Sequence, residues 1–92
     1  MQIALLTLEF QLPGCGSLKE KRRRISGLRD RFGKSPQLAI AESAWADSHQ
    51  RSQWTVLAMA ATRGQVMQQL EQLLASVLEL DAVLCEQRVE WL

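Results

Sequence analysis

The chain has no Tyr and no Asn, one His, two Cys and two Pro in 92 residues. Each scarcity removes a class of explanation. With His49 as the only histidine, a multi-histidine metal site is excluded, and Cys15 and Cys85 lie far apart with no Cys-x-x-Cys pair to supply ligand spacing. No metal and no other cofactor is expected. The same cysteine usage argues against a disulfide scaffold, and residues 1–8 lack the basic start of a secretory leader, so a reduced, cytoplasmic protein is expected. The longest uncharged runs, such as residues 54–62, fall far short of the roughly 20 residues a membrane-spanning helix needs. No membrane partner is expected.

What is present is concentrated in one segment. Hydrophobic residues make up 47% and charged residues 23%, the balance of one soluble domain over residues 1–92 with its own core. The net charge of +1 conceals a strong asymmetry, because eight of the eleven Lys and Arg residues fall between Lys19 and Lys34. Residues 17–34 carry +6 and the rest of the chain −5. Such a distribution implies an anionic partner for one face.

Around that segment the chain alternates between two hydrophobic periods. Residues 2–12 are apolar without a helical stripe and stop at Pro13-Gly14, which predicts a buried, central strand with Ala4, Leu6, Leu8 and Phe10 on one face. Ser17 with Glu20 three residues on has capping-box spacing, and the stripe Leu18, Ile25, Leu28 and Phe32 continues to Gly33 and Pro36, so one helix is predicted over 17–34. Residues 37–45 and 53–61 predict two strands joined through a polar turn. Thr62 and Gln65 repeat the capping spacing ahead of a second helix that turns Val66, Leu70, Leu73, Leu74 and Val77 inward. A final strand over 82–91 sets Cys85, Val89 and Trp91 against Glu86, Arg88 and Glu90, the pattern of a sheet edge.

Strand, helix, strand, strand, helix, strand is the order of a ferredoxin-like βαββαβ α+β domain: a four-stranded antiparallel sheet with two helices on one face. The other face then lacks a helical cover. Ile3, Leu5 and part of the third strand point that way, so an apolar patch and a homodimer through the sheet face are expected.

The run Pro13-Gly-Cys-Gly-Ser-Leu-Lys-Glu-Lys-Arg-Arg23 resembles the signature of the small bacterial YlxP-like family. The likeness continues through Ala41-Glu42, Asp47, Gln50 and Arg51 and covers nearly the whole chain, departing from the family pattern at Ala44, Trp45 and His49. It implies a ferredoxin-like fold and a link to translation or ribosome maturation. It implies no activity.

The candidate nucleic-acid contacts are Lys19, Lys21, Arg22, Arg23 and Arg24 on the first helix, where clustered cations displace the counterions of a phosphate backbone. A solvated face whose long stems cover the core margin is the plain alternative. Lys21 has a further one: from the helix flank it can meet Glu9 or Glu42 and orient the helix on the sheet. Gly14, Gly16 and Ser17 form a glycine-rich turn whose backbone N–H groups suit an anion, without the spacing of a nucleotide-hydrolysing loop.

No catalytic residues emerge, and the chain is read as a non-enzyme. Cys15 has no paired base, and an acylphosphatase, of similar size and fold, needs an Asn that this chain lacks. Base stacking on the sheet is unpromising too, since only Phe10 and Trp54 supply aromatics on the expected central strands. The reading is a domain of unknown function that binds structured RNA or a ribonucleoprotein, such as the ribosome, through its basic helix. The alternative is a protein interaction module that dimerises through the sheet and binds an acidic protein.

Overall fold

The computed structural model describes residues 1–92 and shows an α+β domain with four strands and three helices. In chain order these are β1 (Gln2–Gln11), α1 (Leu18–Ile25), α2 (Gly27–Phe32), β2 (Leu38–Ala44), β3 (Arg51–Ala60), α3 (Arg63–Val77) and β4 (Val83–Trp91). The open antiparallel sheet has the order β2-β3-β1-β4, consistent with the ferredoxin-like class. As its unbroken apolar character predicts, β1 is central.

Strand pleating sorts the sheet into two faces. Ala4, Leu6, Leu8 and Phe10 of β1 pair with Ala58, Val56, Trp54 and Ser52 of β3, and all eight are buried. Beneath them pack Val66, Leu70, Leu73 and Val77 of α3 with Ile25 of α1 and Leu28 of α2, completing one contiguous core. On the open face Ile3, Leu5, Thr7 and Glu9 pair with Met59, Leu57, Thr55 and Gln53, and these are only half-buried or exposed.

One expectation is corrected at the basic segment, which is two helices rather than one. Ser26 and Gly27, both weak helix formers, interrupt the run. The interruption is shallow: Ser26 keeps φ −64° and ψ −21°, and its N–H still donates to the Arg22 carbonyl at 2.8 Å. A second correction concerns β4. Its register shifts opposite Glu9/Phe10, so Val89 and Trp91 share the helix-side face with Leu6 and Ala4, while Cys85 falls in the irregular stretch, exposed. Bulges of this kind also break up a sheet edge.

Candidate functional site

Helices α1 and α3 begin as their capping residues dictate. Thr62 Oγ1 accepts the Gln65 N–H at 3.2 Å while Gln65 Oε1 accepts the Thr62 N–H at 3.1 Å, a complete capping box. At α1 the Ser17 hydroxyl accepts the Glu20 N–H at 3.0 Å, but the Glu20 carboxylate reaches one residue further back, to the Gly16 N–H at 2.8 Å. That N–H, helped by the Cys15 thiol and by Arg24 and Arg23, holds the Glu20 carboxyl below its ordinary value of 4.5.

This fixes the role of the turn over Gly14, Gly16 and Ser17. Gly14 has φ +73°, the left-handed conformation that lets the chain reverse after Pro13. The Gly16 N–H, which was expected to meet an external anion, is already taken by the Glu20 carboxylate. The protein supplies its own anion there, and the turn is a cap rather than a phosphate cradle.

The basic residues divide into anchors and surface. Lys21 is 3% exposed, with its Nζ 2.8 Å from Glu42 Oε2 and 2.7 Å from the Trp45 carbonyl. It is a structural ion pair, the Glu42 option, and leaves the set of surface contacts. Arg24 leaves as well: its Nε donates to the Asp81 carbonyl at 2.7 Å, Nη1 donates to the Pro13 carbonyl at 3.1 Å, and the Asp81 carboxylate lies 3.2 Å from Nε. It ties α1 to the loop before β4 and to the turn after β1.

Lys19, Arg22 and Arg23 remain. All three are exposed, at positions i, i+3 and i+4 of α1, which places them on one face. Arg23 touches Glu20 loosely at 3.8 Å, whereas Lys19 and Arg22 form no ion pair. Further along, Arg31 meets Glu79 at 3.3 Å and Lys34 is exposed and unpaired. A face expected to present five cations thus presents three, continued by Lys34.

The aromatics are committed elsewhere. Phe10 and Trp54 both face the helices and are buried. An Arg guanidinium caps each of the three Trp rings: Arg51 over Trp45 at 3.7 Å, Arg29 over Trp54 at 5.2 Å and Arg63 over Trp91 at 4.1 Å. The open sheet face therefore carries no stacking platform of the kind that RNA-reading sheets use. No three His, Cys, Asp or Glu side chains gather where they would hold a metal ion, and no helix is long and apolar enough to cross a membrane.

No curated protein matches the chain. A family model described as "Protein of unknown function (DUF503)" matches residues 3–87, which takes in every helix and strand except Gln2 of β1 and residues 88–91 of β4. The chain belongs to that family of unknown function.

Proposed function

We propose that this domain is a non-enzymatic binding module that contacts structured RNA or a ribonucleoprotein through the exposed face of α1. The observation that carries the reading is the trio Lys19, Arg22 and Arg23, solvent-exposed on one helix face, where only Arg23 meets a carboxylate, Glu20 at 3.8 Å. Of these, Lys19 sits in the first turn, where it opposes the helix macrodipole by a few tenths of a kcal/mol, roughly, while Arg22 and Arg23 fall in the last turn, where cations suit it.

With the aromatics buried or capped, contact is through phosphate, which gives affinity and little sequence preference. The proposed tie to the ribosome rests on the resemblance of residues 13–23 to the YlxP-like signature. Replacing Lys19, Arg22 and Arg23 together with Glu tests the reading, because none of the three anchors the fold. Filter binding to ribosomal RNA is expected to be lost while the circular dichroism spectrum and melting temperature stay near wild type. Unchanged RNA retention in the folded variant would overturn it.

A second reading draws on a different surface. Ile3, Leu5 and Leu57 are half-buried on the open face, and Met59 beside them is 39% exposed, so this apolar end suits a second copy of the chain or another protein. The two readings use opposite sides of the sheet and are compatible.

A further inference from the structure

Next to the exposed face of α1, a cleft of about 280 Å³ opens between the two N-terminal helices and the end of the β2–β3 hairpin. Its lining combines apolar walls from Leu18, Ile25 and Ala46 with Trp54 of β3 and two guanidiniums, Arg22 and Arg29. Small-molecule sites have this composition, mostly apolar with a few polar groups, and this volume is at their small end, roughly 300 Å³.

The polar groups in the lining have unequal commitments. Lys21 and Glu42, which also line the cleft, neutralise one another at 2.8 Å, and the Glu42 carboxylate additionally accepts the Ser52 hydroxyl at 2.5 Å. Arg22 and Arg29 meet no carboxylate, and Arg29 only overlies the Trp54 ring. Trp54 is 4% exposed, and no protein acceptor reaches its Nε1–H. An indole N–H can only donate, and with less than 1 Å² of its surface accessible this one stays enclosed among protein atoms. Glu42 is its cross-strand neighbour and the nearest carboxylate by register, but it is held by Lys21 and Ser52.

We infer that this cleft binds a small organic oxyanion, a carboxylate or phosphate ester with an apolar body, using Arg22 and Arg29 as donors and the Trp54 indole as part of its apolar wall. The planar guanidinium forks match carboxylate and phosphate oxygens, and the apolar walls take the body. Asp47, also in the lining, offers an acceptor for a hydroxyl or amine on that body. The site shares Arg22 with the proposed RNA surface and otherwise uses different residues. One ligand chemistry has two sources, a free small anion or the phosphorylated end of an RNA chain.

Proton–nitrogen NMR on the full chain reads the cleft wall through the Trp54 indole, since the three indole N–H resonances can be assigned with single Trp→Phe variants. The probes are phenyl phosphate, adenosine monophosphate, benzoate, inorganic phosphate, and a short oligoribonucleotide with and without a 5′ phosphate. Phenyl phosphate or adenosine monophosphate is expected to move the Trp54 indole resonance selectively and saturably, with inorganic phosphate weaker because it has no body to bury.

Arg29→Ala is expected to weaken that binding about tenfold, as removal of one charge-assisted hydrogen bond does. This variant keeps the α1 trio, so RNA retention by α1 survives in it if that reading is right and the cleft fails separately. A response to the 5′-phosphorylated oligoribonucleotide alone identifies an RNA end as the source, and a response to the small anions alone identifies a free ligand. If no probe moves the Trp54 resonance at millimolar concentration, or if Arg29→Ala binds as tightly as wild type, the inference is overturned.

Discussion

Lys21 is held where α1, the end of β2 and the turn after it converge, and its ammonium has two distinct partners. One is the Glu42 carboxylate at 2.8 Å; the other is the carbonyl of Trp45, whose φ of +65° is the chain's one left-handed conformation outside glycine. Bulky residues adopt that conformation at a cost of about 1–3 kcal/mol, so the surroundings must hold it in place. Here the Trp45 carbonyl accepts from Lys21 and from the Ser48 N–H at 3.0 Å, and Arg51 covers the ring at 3.7 Å. Breaking a buried ion pair costs about 3–5 kcal/mol because one charge is stranded, and the partial exposure of Glu42 puts Lys21→Met near 3 kcal/mol. Adding Glu42→Gln keeps an acceptor for Ser52 while removing the stranded charge, so the double variant is expected to recover much of that loss in urea denaturation. A Lys21→Met protein as stable as wild type would contradict this. The sequence places Lys21 on the helix flank with Glu9 or Glu42 in reach; the structure turns it inward, into the position that the interval of seven between Leu18 and Ile25 leaves unfilled. Composition gave no such signal for Arg24, because its partners Asp81 and Pro13 are set by tertiary packing.

At the scale of the element, α1 starts on a cap that is also its pH sensor. Glu20 has a depressed pKa in the folded chain, chiefly through the Gly16 N–H, so its stabilising effect is fully present above the ordinary 4.5 and is lost as pH falls through the lower folded value. Glu20→Gln is expected to leave stability near neutral pH slightly reduced and to flatten its decline below pH 4.5, as read by thermal melts across acid pH. An acid profile identical to wild type would show that the cap does not govern it. Capping chemistry is local, so Ser17, Glu20, Thr62 and Gln65 marked the starts of α1 and α3 from sequence alone. The break at Ser26-Gly27 was less legible, because the apolar stripe runs straight through it to Leu28 and Phe32. The faces of β4 were legible only above its bulge, since a period of two cannot register an extra residue whose place is set by β1.

Across the whole molecule, the sheet separates two surfaces of different character. The helical side carries the +6 segment, from which Lys21 and Arg24 are withdrawn into the structure, leaving the trio Lys19, Arg22 and Arg23 exposed on α1 and Arg29, Arg31 and Lys34 exposed beyond it. The open side is apolar around Ile3, Leu5, Leu57 and Met59, and acidic where Glu9 pairs with Glu86. A self-associating contact therefore uses the apolar end. Light scattering at micromolar concentration is expected to give a dimer of the 10.4 kDa chain that Leu5→Glu converts to monomer, and a monomeric wild type would rule the dimer out. Sequence alone revealed the charge asymmetry and the uncovered sheet face, but not how many cations remain free, since that number depends on which carboxylates and carbonyls the fold brings near. The central claim is that the free trio neutralises phosphate, and its most direct test is the salt dependence of RNA affinity for wild type and Arg22→Ala. Three phosphate contacts predict a log–log slope of about −2 to −3, shallower by about one in Arg22→Ala. A wild-type affinity indifferent to salt, or the same slope in both proteins, would contradict it.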